Sequence, residues 1–143
     1  RSRGENFEPL PAGRGRRLRE GDDVALVSVG TVGNAAARAA ERAAVEGVNA
    51  AHYDLRFVKP LDEALLDEVG RKFRRVVTVE DGALRGGVGE AVAAFFNDRG
   101  YDVRVHRLGI GDEWVEHGTP GQLYALCGYD EEGILRALLD TRA

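Results

Sequence analysis

The sequence predicts an α/β fold: a three-layer α/β/α sandwich around a mostly parallel sheet of about five strands, with one short antiparallel edge strand. Three observations lead there. Short apolar runs such as Val24 to Val29 have the character of strands buried on both faces. Amphipathic stretches lie between them, and glycines stand where such helices should stop. Strand and helix alternate at a spacing that implies right-handed parallel crossovers.

Residues 1–15 hold two of the four prolines and show no periodicity, so they read as an extended linker from a missing preceding domain. Residues 16–143 form the domain. Arg16 to Arg19 suits a short edge strand, turning at Glu20-Gly21-Asp22. Val24 to Val29 is the first buried strand, ending at Gly30. Asn34 to Glu46 is an alanine-rich helix stopped by Gly47, and Val48 to Tyr53 is the next strand. Asp62 caps a second helix, where Leu61, Leu65, Val69 and Phe73 recur every fourth residue as one core stripe. Leu61 and Leu66 are placed for a hydrophobic staple.

Val76 to Val79 is the third strand of the alternation, followed by a loop from Glu80 to Gly87. A helix from Val88 to Asn97 ends at Gly100, and Val103, Val105 and Ile110 mark a further strand of alternating character. Thr119-Pro120-Gly121-Gln122 is a capping box opening a short helix to Cys127. Asp130 caps a last helix whose Ile134, Leu135, Leu138 and Leu139 face the core.

Composition narrows the function classes. The chain has 143 residues, enough for one domain, with 43% hydrophobic and 31% charged residues, ordinary for a globular protein. The net charge of −4, with signs interspersed, gives no footprint for nucleic acid. The cluster Arg14, Arg16, Arg17 and Arg19 lies beside Glu20, Asp22 and Asp23 and reads as a solvated strand edge. Cys127 is the only cysteine, which excludes an internal disulfide and suggests a reducing, cytoplasmic compartment. No run approaches the ~18 apolar residues of a membrane span, and no signal peptide is visible. The sequence contains no Met and starts at Arg1, so a truncated or processed chain is expected.

In open parallel sheets, ligands sit beyond the carboxyl ends of the strands. The segments there are Gly30-Thr31, Arg56 to Asp62, Glu80 to Gly89 and Gly109 to Gly118. Gly86-Gly87-Val88-Gly89 precedes a helix and so offers an anion site on free N–H groups. It lacks the Lys-Ser/Thr of a phosphate loop, and a tight turn is the better reading. Glu80 and Asp81 are adjacent carboxylates, but neighbours on a strand point to opposite faces; one of them accepting backbone hydrogen bonds from the following loop fits better than acid/base work. His117 has no second His or Cys at metal-ligand spacing, and with His52 and His106 it forms no visible cluster. Ser28 sits inside an apolar strand without the elbow that exposes a nucleophile. Cys127, among Leu123, Tyr124 and Leu126, reads as core. No catalytic set emerges, so the loops 80–89 and 109–118 are assigned to packing and subunit contact. Trp114, the only tryptophan, is their candidate interface anchor.

The order of segments is informative: Asp23-Val-Ala-Leu-Val-Ser-Val-Gly-Thr31, Leu55-Arg-Phe-Val-Lys-Pro-Leu-Asp62, Val77-Thr-Val-Glu-Asp81 with Gly86-Gly-Val-Gly89, Leu108-Gly-Ile-Gly-Asp112 and Glu116-His-Gly118. From about Arg3 to Leu139 it resembles the C-terminal domain of the 1-deoxy-D-xylulose-5-phosphate synthase family, relatives of transketolase. Cys127-Gly-Tyr-Asp-Glu-Glu-Gly-Ile134 is similar to that family's tail, and Leu10-Pro-Ala-Gly-Arg-Gly15 to the linker before the domain. The resemblance implies a parent enzyme that decarboxylates pyruvate on thiamine diphosphate and joins the two-carbon fragment to D-glyceraldehyde 3-phosphate. The product, 1-deoxy-D-xylulose 5-phosphate, feeds isoprenoid, thiamine and pyridoxal phosphate synthesis. The family's thiamine diphosphate and Mg2+ site belongs to its first domain and the activating glutamate to its second. The third domain supports the homodimer and the architecture. By the same resemblance this chain carries no cofactor site, no metal site and no activity alone.

Two departures stand out. Where the family often has two glutamates, this chain has Glu80 and Asp81. The family's Arg-Tyr-Pro-Arg-Gly segment is reduced to Arg1-Ser2-Arg3-Gly4. Its last Arg is associated with the substrate phosphate, a task that suits a bidentate guanidinium. Arg3 matches through Gly4, and Arg1 is the other register. Rival readings are the equivalent domain of a transketolase or of a 2-oxo-acid dehydrogenase β subunit, and a free-standing small-molecule or nucleotide-binding module using Gly86 to Gly89.

Overall fold

The computed structural model describes residues 15–29, 33–55, 61–81, 88–110 and 131–140. Its elements in chain order are β1 (Arg16–Arg19), β2 (Val24–Val29), α1 (Gly33–Val45), β3 (Ala50–Asp54), α2 (Glu63–Lys72), β4 (Arg75–Asp81), α3 (Val88–Asp98) and β5 (Arg104–Ile110). A fourth helix, α4, covers 131–139. The expected helix after Thr119 lies outside the described residues.

Five strands form one sheet in the order β1-β3-β2-β4-β5. The pairs β2–β3, β2–β4 and β4–β5 are parallel, and β1 runs antiparallel along β3, as the sequence predicts. β2 is central and all six of its residues are buried, so helices must cover it on both sides. Leu26 and Val24 face α1 and α4, meeting Ala36, Ala39, Ala40, Ile134 and Leu138. Ala25, Val27 and Val29 face the other layer, meeting Leu66, Val69, Val88, Val92 and Phe96. The alternation of strand side chains thus sorts one apolar run into two cores.

The helix stops follow from glycine. Gly47 and Gly100 have positive φ, 94° and 78°, which side chains with a Cβ rarely adopt. After α1, Gly47 N–H donates to Ala44 O and Val48 N–H to Ala43 O; after α3, Gly100 N–H donates to Asn97 O and Tyr101 N–H to Phe96 O. Both are Schellman closures. The second adds an edge-to-face contact between Tyr101 and Phe96 at 6.1 Å. Arg75, the first residue of β4, donates to Leu138 O at 2.8 Å and to Asp140 O, so a guanidinium caps the end of α4.

Several element bounds, and the buried stripe of α2, differ from the sequence reading. The second parallel strand starts at Ala50 rather than Val48. β4 runs through Glu80 and Asp81, which pair with Gly109 and Ile110 of β5, so the loop begins two residues later than the charges suggest. In α2 the buried residues are Leu66 and Val69, followed by Phe73, while Leu61 and Leu65 are only partly buried. A strict count of four drifts off the 3.6-residue period, which moves the stripe toward Leu66.

Packing also sets two glycines of ordinary φ apart. A Cβ on Gly70 in α2 would stand 2.6–2.9 Å from ring carbons of Tyr101, whereas one on Gly133 in α4 would meet nothing within 4 Å. Helix propensity alone favours alanine at both by about 1 kcal/mol. Gly133→Ala is therefore expected to raise the urea midpoint, while Gly70→Ala lowers stability by about 1–3 kcal/mol through overpacking. Two shifts of the same sign in denaturation curves would refute this account of the α2–Tyr101 contact.

Candidate functional site

The carboxyl ends of β2, β3 and β4 gather the polar residues that the fold holds in place. Asp62 lies there, 6% exposed, as the N-cap of α2. Its Oδ1 accepts the Leu65 N–H at 3.0 Å, the capping bond read from the sequence. Its Oδ2 accepts the Gly15 N–H at 2.7 Å, tying the start of β1 to the start of α2 across 47 residues. Gly15 is tightly seated: a Cβ there would be 2.6 Å from Asp54 O and 3.1 Å from Leu55 Cα.

Glu80 reaches toward α3. Its Oε1 accepts the Gly89 N–H at 3.1 Å, so this carboxylate takes a backbone hydrogen bond beyond the strand, as expected of one of the acidic pair. A Cβ on Gly89 would lie 2.5 Å from Arg107 Cγ and 2.9 Å from Thr78 Oγ1. Gly89 is thus needed for the first turn of α3 to lie on the sheet, and its N–H already has an anionic partner. Both observations favour packing over an anion site in this part of the glycine segment.

One buried pair escaped the sequence reading. Ser28 Oγ and His52 Nε2 are 2.8 Å apart, and both residues are 1% exposed. Leu26 and Ala50 belong to the core beneath α1 and α4, so strand alternation puts Ser28 and His52 on that same face. Burial pushes the imidazole down to about 4; Arg19 acts in the same direction and Asp54 against it. A neutral, enclosed imidazole bonded to an enclosed hydroxyl bridges two strands and is closed to substrate. The signal in the sequence was a polar residue inside each of two neighbouring strands, Ser28 and His52, and only the β2–β3 register joins them.

On the surface, Arg38 Nε meets Glu131 at 2.7 Å, and Arg42 meets Glu131 at 2.9 Å and also Glu132, joining α1 to α4. Hydrogen bonds from Arg38 and Arg42 hold the Glu131 carboxyl below its ordinary range. On the opposite layer Arg99 bonds Asp67 and Glu63 and lies 4.6 Å over the Phe95 ring. A shallow groove of about 480 Å³ runs between α3 and β5, with Glu90, Asn97, Tyr101 and Arg107 in its lining. It brings together no nucleophile and base. Among the described residues no three His, Cys, Asp or Glu side chains are grouped to hold a metal ion. No helix among them is long and apolar enough to cross a membrane. His106 lies on β5, away from His52 by two intervening strands. Arg1, Arg3, Gly86, Gly87, Trp114, His117 and Cys127 lie outside the described residues, as does the side chain of Asp81.

Comparison with known proteins places this arrangement. The model of the transketolase C-terminal domain matches residues 13–134. The 1-deoxy-D-xylulose-5-phosphate synthase of Bacteroides fragilis is 52% identical over 95% of this chain, and that of Bacteroides thetaiotaomicron is 53% identical over 93%. The chain spans only 21% of the length of each. Among solved structures, a chain described as split gene transketolase, inactive beta4 tetramer, superposes with a TM-score of 0.76. It is 33% identical, with 90% of this chain and 42% of that one covered.

The buried imidazole gives a pH dependence of known sign. His52 titrates near 4 when folded and near 6.5 when unfolded, so between those values the unfolded chain binds more protons. Stability from a neutral His52 is full above pH 6.5 and is lost as pH falls toward 4, about 3 kcal/mol in all. Urea denaturation of wild type and His52→Gln at pH 7 and pH 4 should show the wild type losing more stability by about that amount. Parallel losses would mean that His52 is not held neutral.

Proposed function

The chain belongs to the family of transketolase C-terminal domains, and from that premise we propose that it is the C-terminal domain of a thiamine-diphosphate-dependent 1-deoxy-D-xylulose-5-phosphate synthase. The parent enzyme converts pyruvate and D-glyceraldehyde 3-phosphate into 1-deoxy-D-xylulose 5-phosphate and CO2. The carrying observation is the 52–53% identity with two such synthases, sustained over nearly the whole of this chain. The rival readings have weaker support. The split gene transketolase chain is more distant at 33% identity, and a nucleotide-binding module would need N–H groups that Glu80 competes for at Gly89.

The domain's role in this reading is to support the preceding domains of its own chain and the homodimer. The described residues offer a buried Ser28–His52 pair and capping carboxylates, but no accessible nucleophile–base set. Their donor set does not fit a Mg2+-diphosphate group either, and we assign that site to the preceding domains. Thiamine diphosphate supplies the carbanion chemistry there. The split gene transketolase chain is called inactive and tetrameric, which supports a domain that assembles without catalysing alone. The substrate contact assigned to this chain is a guanidinium, Arg3 or in the other register Arg1, pairing with the phosphate of glyceraldehyde 3-phosphate.

Two experiments test the reading. Calorimetric titration of thiamine diphosphate and Mg2+ into the isolated chain should give no binding heat, and micromolar affinity would contradict the assignment. In the full-length synthase, Arg3→Ala or Arg1→Ala should raise KM for glyceraldehyde 3-phosphate about tenfold or more, the loss of a charge-assisted hydrogen bond, while KM for pyruvate stays unchanged. Unaltered kinetics in both variants would remove the arginine assignment.

A further inference from the structure

The helices of this domain do not meet solvent alike. α1 exposes Arg38, Glu41 and Arg42, and α2 exposes Glu63, Glu68, Arg71 and Lys72. α3 carries only two charged residues, Glu90 and Asp98, and leaves Ala91, Ala93 and Ala94 in contact with solvent. It lacks the charged face that a solvent-facing helix ordinarily shows. Beside it runs β5, the last strand of the sheet, whose Val103 and Val105 are only partly buried. Ala93, Val103 and Val105 line the groove of about 480 Å³ between the two elements, together with Glu90 and Arg107. Side chains as small as alanine let another surface come close to the helix.

The charges of the groove point to its occupant. Glu90 and Arg107 are both exposed, and among the described residues neither makes an ion pair, with the other or with a third group. Arg107 is nevertheless held in place. Its Cγ and Cδ lie 2.5 and 2.6 Å from where a Cβ on Gly89 would stand, so its stem rests on the first turn of α3. A guanidinium on a packed stem has less freedom to lose when it meets a partner. Glu90 follows Gly89, which puts the acid and the base at the same end of the groove. A partner of one sign would attract one of these charges and repel the other. A second copy of the groove, turned about a two-fold axis near that end, satisfies both, because each Glu90 then meets Arg107 of the partner subunit. We propose that the α3–β5 groove is a two-fold contact between copies of this domain, closed by reciprocal Glu90–Arg107 pairs beside the alanines of α3. This rests on the synthase reading and deepens it, naming the surface through which the domain supports the homodimer.

A charge-reversal cycle in the full-length synthase, followed by sedimentation equilibrium, tests the pairing. Each pair occurs twice in a two-fold dimer, so Glu90→Arg and Arg107→Glu should each raise the dimer dissociation constant about tenfold or more. The double reversal restores opposite charges and should return the constant to within about threefold of wild type. Ala94→Arg adds a bulky cation to an exposed position of α3 and should loosen the dimer by a similar factor. It decides the matter with Glu90→Arg if Arg107→Glu disturbs the packing on Gly89. A Glu90→Arg dimer as tight as wild type would overturn the proposal. So would a double reversal as weak as the single ones, because the reciprocal pair would then be absent. A lower melting temperature in these variants with an unaltered dimer would assign the groove to another domain of the same chain, and that too would overturn it. The synthase reading stands or falls apart from these outcomes, on whether the parent releases CO2 from pyruvate.

Discussion

Strand β2 lies at the middle of the sheet with no exposed residue, and the rest of the molecule answers to that enclosure. A strand covered on both faces must find its apolar partners in two separate helix layers, which is why α1 and α4 take one side and α2 and α3 the other. Any polar side chain on it must also find its partner inside the protein. Ser28 does so through His52 on the neighbouring strand, and burial keeps that imidazole neutral at ordinary pH. The same enclosure keeps the pair away from substrate. A serine and a histidine in hydrogen-bond contact are here part of the core.

Much of this was legible because the constraint leaves few compositions open. An uninterrupted run such as Val24–Val29 fits an enclosed strand, and Gly47 and Gly100 mark helix ends because a Schellman closure requires positive φ. The Asp62 cap could be read because its partner, Leu65, is three residues away. What stayed hidden were contacts between residues distant in sequence. The second bond of Asp62 reaches Gly15, and the partner of Ser28 depends on a strand register that no local pattern encodes. Charge misled at Glu80 and Asp81, where the backbone continues in the sheet and the Glu80 carboxylate serves the start of α3. The candidate substrate arginine and the interface tryptophan came from resemblance and composition, and both lie outside the described residues.

The functional reading is coherent with a domain whose polar groups are spent on construction. Asp62, Glu80 and Arg75 each hold an element end, and Arg38, Arg42 and Arg99 link helices across the surface. The chain spans about a fifth of the synthases it matches, so the chemistry assigned to the parent has ample room in the remainder.

The most direct test of the synthase reading is the fate of the pyruvate carboxyl group in the full-length parent. With carboxyl-labelled pyruvate, D-glyceraldehyde 3-phosphate, thiamine diphosphate and Mg2+, the account predicts one labelled CO2 released for each 1-deoxy-D-xylulose 5-phosphate formed. Transfer of a two-carbon ketol unit between sugar phosphates, with no CO2 released from pyruvate, would contradict it and make the parent a transketolase.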